Sequence, residues 1–140
     1  MDWKKFILAV VVCFVMLEGT GFLIHGVWLQ PIYQQFQDSW REQAQMEQKM
    51  WIMWVSDLLF TIMFAYVYTR GMENKPWLGQ GIRYGITIAL LMTIPVTLGN
   101  YVVFRVPYTL ALTWMAVGAA QLIVVGVIVA FFLKKAPSAT

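Results

Sequence analysis

The sequence predicts an all-α protein, a bundle of four transmembrane helices with an outer amphipathic helical extension between the first and second. Of its 140 residues 60% are hydrophobic and only 12% charged, and the mean hydropathy is +0.66, values foreign to a soluble domain. Four apolar stretches each approach or exceed the roughly 20 residues that cross a bilayer. They cover approximately residues 6–29, 50–68, 84–104 and 108–133. We therefore expect one integral membrane domain over residues 1–140.

The first apolar stretch is predicted to be a retained membrane anchor. It is longer than the apolar region of a cleavable signal peptide, and no small-residue cleavage pattern follows it. Pro31 should end this helix, because proline lacks the amide hydrogen that continues the helical ladder.

The outer loop before the second span is predicted to be partly helical. Ser39 and Glu42 are spaced as a capping box, so a helix from Trp40 to Tyr68 would be about 43 Å long, longer than the hydrocarbon core is thick. Apolar residues in this loop alternate with seven glutamines. We favour a solvated helical extension with a few interface anchors; the alternative is a segment lying on the outer surface or docking on a partner.

Small residues and one proline characterise the third and fourth spans. Glycines 79, 81 and 85 lack the preceding strand and the Gly-Lys-Ser/Thr of a nucleotide-binding loop, and close helix packing or a mobile helix entry explains them better. Pro95 should kink the third helix. Small side chains in the fourth span allow close backbone approach, within the bundle or at an oligomer interface. They are Gly118, Ala119, Gly126 and Ala130.

Basic residues are distributed unequally between the two sides of the predicted bundle. Seven flank one side, namely Lys4, Lys5, Arg70, Lys75, Arg83, Lys134 and Lys135, and three flank the other, namely Arg41, Lys49 and Arg105. The positive-inside rule therefore predicts that both termini are cytoplasmic. Because basic residues cluster at helix ends, the net charge of +3 is no sign of nucleic-acid binding.

Polar side chains within the spans are the best indicators of function, because charged groups at membrane depth usually face a protein interior or a water-filled cavity. The candidate site residues are Glu18, His25, Asp57, Asn100 and Gln121. Helical rise places His25 and Asn100 about 6 Å, and Asp57 about 10 Å, from the outer ends of their spans. These three should form one layer in the outer half, whereas Glu18 and Gln121 lie nearer the midplane.

Three interpretations of these residues compete. In the structural one, which we favour, Asp57 pairs with His25, and Glu18 is protonated or bonded to Gln121. In the second, the outer layer lines a cavity for a small ligand, a cation or protons. In the third, His25 and the two acids bind a metal, although these residues lie on two helices and neither a Glu-x-x-His nor a His-x-x-x-His spacing is present. The single cysteine, Cys13, excludes an internal disulfide, and the single histidine excludes a bis-histidine haem within one chain.

Several short motifs resemble a known family. The motifs are Gly26–Pro31, the helix end Ala65–Tyr68, the spaced glycines 79, 81 and 85 at the entry to the third span, and Asn100-Tyr101. Together they resemble small bacterial four-helix inner-membrane proteins of a domain-of-unknown-function family. That resemblance implies a bacterial inner membrane and supplies no activity. A shorter one, Leu17 to Thr20, is similar to the helix-one glutamate region of small multidrug transporters. The long glutamine-rich loop, Asp57 and the strong positive-inside bias depart from that family.

The leading functional hypothesis is a non-enzymatic small-ligand binder or accessory subunit with a polar cavity in its outer half. The alternative is a proton- or cation-coupled small transporter that uses Glu18 and Asp57. A membrane enzyme is disfavoured, because no nucleophile accompanies the acids. The lipid bilayer is the expected partner, together with a homo-oligomer or a larger membrane complex. The sequence identifies no particular cofactor, and the metal interpretation stays open.

Overall fold

The computed structural model describes residues 2–134, and that part of the chain is helical throughout, with short connections. Four helices are long and apolar enough to cross a membrane: α1 (Trp3–Trp28), α3 (Gln43–Arg70), α4 (Trp77–Val103) and α5 (Tyr108–Leu133). The helix α2 (Gln30–Gln34) is short. These findings confirm the all-α class with four such helices and indicate a multi-pass membrane protein.

Three of the long helices begin before their apolar stretches do. The helix α3 begins at Gln43 and α4 at Trp77, whereas the sequence placed these spans from about residues 50 and 84. Polar residues such as Lys49 can continue a helix once it has left the hydrocarbon, because water or headgroups solvate their side chains. Hydropathy therefore underestimates helix length at such ends.

The predicted capping box at the start of α3 is wrong. Glu42, not Ser39, is the N-cap residue, and its side chain makes no capping hydrogen bond. Ser39 instead donates a hydrogen bond from Oγ to the main-chain oxygen of Arg105, 3.1 Å away. The Ser39 hydroxyl therefore bonds to a residue distant in sequence and not to the first turn of α3. This hydrogen bond ties the loop after α2 to the loop between α4 and α5.

Two of the long helices contain π-helical turns. The end of α1, Phe22–Trp28, is π-helical, and α4 changes from α-helix to π-helix over Ala89–Thr93 before continuing as Ile94–Val103. The second π segment ends just before Pro95. Because proline cannot donate a hydrogen bond to the preceding turn, the wider turns accommodate the missing bond, as π-bulges commonly do.

The closest helix packing is between the first half of α4 and the second half of α5. A Cβ atom added to Gly81 would lie 2.7 Å from the main-chain oxygen of Gly126 and 2.8 Å from Cβ of Ala130. One added to Gly85 would lie 2.5 Å from Cα of Ile123. These glycines therefore permit backbone contact within the bundle, whereas Gly79 has open space around it.

Two apolar clusters hold the bundle together. We call the end where α1 and α4 start the basic end, after its lysines and arginines, and the other the opposite end. The larger cluster occupies the half towards the basic end and includes Phe6, Phe64 and Val125. The smaller one, around Leu29, Val106 and Leu110, joins the loops of the opposite end to the start of α5.

Candidate functional site

A pair of carboxyl groups lies midway along two neighbouring helices. Glu18 on α1 interacts through its side chain with Asp57 on α3, and the Trp54 indole is also within reach of Glu18. Both acids are half-buried. One carboxyl oxygen, Glu18 Oε1, is buried with no hydrogen-bond partner among the described residues.

The pair lies where α3 separates from the rest of the bundle. All buried residues of α3 lie between Thr61 and Tyr68, and none of residues 43–60 is buried. Asp57 is one helical turn before Thr61, so it stands at the last point where α3 is packed. The two carboxyl groups therefore lie at the boundary between the exposed and the packed half of α3.

The chemistry of this pair follows from the closeness of two acids. Two adjacent carboxylates repel each other, and a site with few hydrogen-bond donors stabilises neither charge. One proton held between them, or one cation held by both, removes the repulsion. The unpartnered Glu18 Oε1 provides an acceptor for such a proton or cation.

Gln121 is bound to a different residue of α1. Its Nε2 donates to Thr20 Oγ1 at 2.7 Å, and that hydroxyl donates to the main-chain oxygen of Met16 at 2.7 Å. Thr20 is two residues beyond Glu18, so the two side chains leave α1 in different directions. The expected Glu18–Gln121 bond is therefore replaced by a structural link between α1 and α5.

His25 takes part in an aromatic cluster at the opposite end. Its Nδ1 lies 2.6 Å from the hydroxyl oxygen of Tyr33, which accepts a hydrogen bond from Trp114 Nε1 at 2.9 Å. The rings of His25 and Tyr33 are stacked with centroids 6.1 Å apart, and Trp40 packs edge-on against Tyr33 at 5.5 Å. Burial raises the pKa of Tyr33, and the Trp114 hydrogen bond opposes this effect.

The structure thus divides the predicted outer layer. Asp57 interacts with Glu18, and His25 with Tyr33, so the expected Asp57–His25 pair is absent from the described contacts. Asn100 is half-buried near the end of α4, where its main-chain oxygen accepts a hydrogen bond from the Phe104 amide. Within residues 2–134, no group of three or more His, Cys, Asp or Glu residues is arranged to hold a metal ion.

Sequence reasoning missed the residues that complete these groups. Tyr33 and Trp114 each combine an aromatic ring with a hydroxyl or N–H that needs a partner when buried, and that property could have pointed to them. Thr20 could have been suspected because a threonine inside a span has few partners other than its own helix or a neighbouring one.

Comparisons with protein-family models, with curated proteins and with solved structures find no match. The resemblances described above therefore rest on their quoted motifs alone, and the function has to be argued from the geometry.

Proposed function

We propose that this membrane protein binds a proton or a monovalent cation at the Glu18–Asp57 carboxyl pair and exchanges one for the other. The observation that carries the proposal is the meeting of two acids from two helices at mid-span, with Glu18 Oε1 lacking a partner. Ionisable groups at this depth commonly belong to proton or cation pathways. Transport coupled to the exchange is the function that fits this site best.

Exchange at this pair conserves charge. With one shared proton, the two carboxyl groups carry a net charge of −1. With both groups ionised around one monovalent cation, the net charge is again −1. A protein that alternates between these states avoids the cost of changing the charge within the membrane.

A second candidate is an accessory subunit or small-ligand binder. The exposed first half of α3 supports it, because residues 43–60 have no buried member and present a long surface to lipid or a neighbouring chain. The originally expected cavity of His25, Asp57 and Asn100 receives less support, since His25 and Asp57 interact with different residues.

The proposed location is a bacterial inner membrane with both termini in the cytoplasm. Support comes from six described basic residues at the basic end against three at the opposite end; a seventh, Lys135, lies outside the described residues. Fluorescent-protein and periplasmic-phosphatase fusions at the C-terminus test this orientation. Fluorescence without phosphatase activity is expected, and the reverse result contradicts it.

The binding proposal is tested with the full chain in proteoliposomes. Tetraphenylphosphonium serves as the lipophilic cation probe, and a pH-sensitive dye reports proton release on its addition. The wild type should release a proton as the cation binds. Glu18→Gln and Asp57→Asn should each lose most of this signal, because either change removes one of the two charges that hold the cation.

Matched controls make the same chemical changes at exposed sites. Glu47→Gln alters an exposed acid on α3, which accepts a hydrogen bond from Gln43, and Asp38→Asn alters an exposed acid in the loop. Both should behave as the wild type. Proton release that is equal in the wild type, Glu18→Gln and Asp57→Asn would contradict the proposal.

A further inference from the structure

A groove of about 450 Å³ lies at the basic end, between the α3–α4 connection and the first turns of α4. Its lining includes two cationic side chains and no acidic one. The lining residues are Lys75, Pro76, Gly79, Gln80, Ile82 and Arg83. The groove is far along the chain from Glu18 and Asp57 and has no part in the proposed exchange.

The side chain of Gln80 fixes the shape of the groove. Its Oε1 accepts a hydrogen bond from the Glu73 amide at 2.8 Å, and its Nε2 donates to the main-chain oxygens of Glu73 at 3.0 Å and Lys75 at 2.7 Å. Gln80 is only 7% exposed. These three hydrogen bonds hold the α3–α4 connection against α4. They thereby keep Lys75 in the groove that Arg83 also lines.

The start of α4 adds hydrogen-bond donors to the groove. Pro76 is the N-cap residue, and no side chain caps the helix. The amides of the first turn therefore lack partners within the helix, apart from the Gln80 amide, which bonds to the Pro76 oxygen. Gly79 lines the groove and has nothing within 4 Å of the position of a Cβ atom, so no neighbouring side chain covers its backbone on that side.

The cations are available to an anionic ligand. Lys75 forms an ion pair with Glu73, but both side chains are more than half exposed, and exposed pairs contribute little. Lys134 lies over the Trp77 ring, 5.2 Å from its centroid, and adds positive charge at the same end of the bundle. Tryptophan and basic residues at the end of an apolar helix are typical of the headgroup level of a bilayer.

An apolar track leads from the groove along α4. Leu78, Ile82 and Ile86 are spaced by four residues, so they share one face of the helix, and they are 47%, 37% and 41% exposed. Ile82 also lines the groove. A ligand with a phosphate group and a hydrocarbon chain can therefore occupy the groove and the track together, whereas free phosphate would leave the track unused.

We infer that this groove binds the phosphate-bearing headgroup of an anionic phospholipid. Lys75 and Arg83 contact the phosphate, the amides at the start of α4 donate to it beside Gly79, and one acyl chain lies along Leu78, Ile82 and Ile86.

The test is a titration of the full-length protein in neutral detergent with dioleoylphosphatidylglycerol, followed by native mass spectrometry. Dioleoylphosphatidylcholine is the neutral comparison lipid. The double variant Lys75→Gln/Arg83→Gln should weaken phosphatidylglycerol binding about 30-fold, since each basic residue near an anionic lipid contributes slightly more than about fivefold. Phosphatidylcholine binding should not change.

The control variant Arg41→Gln/Lys49→Gln removes the same charge from the opposite end, where both residues are exposed, and should bind phosphatidylglycerol as the wild type does. Gly79→Ala, whose new methyl group meets no atom, should weaken binding without loss of helix content by circular dichroism. Equal affinities in the wild type and the groove variant, or equal losses in both double variants, would overturn the inference. Displacement of the lipid by millimolar inorganic phosphate would assign the groove to free phosphate instead.

Discussion

Adding one methyl group between α4 and α5 should destabilise the protein measurably. In Gly85→Ala the new Cβ atom would lie 2.5 Å from Cα of Ile123 and 2.6 Å from the main-chain oxygen of Leu122. Both are backbone atoms, so no side chain can rotate away. Because carbon atoms pack at about 3.5–4.0 Å, the two helices have to separate locally by about 1 Å.

The expected magnitude follows from two opposing effects. Overpacking of this kind costs about 1–3 kcal/mol, and replacing glycine by alanine in a helix gains about 0.5–1 kcal/mol. Because the new methyl group meets backbone atoms, the upper part of the overpacking range applies, about 2–3 kcal/mol, and we expect a net loss of about 1–2.5 kcal/mol in the free energy of unfolding. The loss should be larger than from any exposed glycine in the same helix, because the shift also disturbs the neighbouring contact of Gly81 with Gly126.

The assay is unfolding in mixed micelles, in which sodium dodecyl sulfate is added to the protein in dodecyl maltoside and helix content is followed by circular dichroism. Gly99→Ala is the matched control on α4, because its Cβ atom would meet nothing within 4 Å. It should unfold at the same or a higher detergent fraction than the wild type. If Gly85→Ala and Gly99→Ala unfold together, the close packing of α4 and α5 does not contribute to stability as argued.

Three further predictions concern single hydrogen-bonded or charged groups. In a double-mutant cycle in the same assay, Thr20→Val and Gln121→Leu should show a coupling of about 0.6 kcal/mol, and at most about 1.7; additive effects would show that the bond contributes nothing. Tyr33→Phe should increase protease cleavage of residues 30–42, because its hydroxyl joins two helices; an unchanged cleavage rate would contradict this. Lys75 holds the pKa of exposed Glu73 below its ordinary 4.5. The pairing therefore stabilises the folded state above pH 4.5, and this stabilisation is lost as the pH falls through the lowered pKa. Carboxyl chemical shifts in ¹³C-labelled protein would measure that pKa, and a Glu73 pKa at or above 4.5 would refute the prediction.

The long helices could be predicted because their main determinant is local. A run of about 20 apolar residues can bury its backbone polar groups in a bilayer only by forming a helix, and the fourth such run matches α5 (Tyr108–Leu133). The start of α3 could not be predicted from its own sequence, since the hydroxyl of Ser39 bonds to Arg105, 66 residues away.

Which of the candidate residues lie together could not be predicted from the sequence. Depth along each helix follows from the rise per residue, and on that basis His25 and Asp57 were expected in one layer, whereas Asp57 interacts with Glu18 in the structure. Which helix faces which, and at what rotation, depends on packing between distant segments. The sequence therefore contained no sign that Asp57 would meet Glu18, while His25 would meet Tyr33 in the loop.

The last helix has a consequence for how the protein is made. The apolar cluster near the basic end contains Leu122, Val125 and Val129, and the cluster at the opposite end contains Leu110, all from α5. Neither cluster can close until α5 has left the ribosome and entered the bilayer. Until then, the contacts that α5 makes with α1 and α4 are missing, and Gly81 and Gly85 lack the α5 backbone that covers them in the folded protein. A premature stop codon before Tyr108 would leave them permanently in that state.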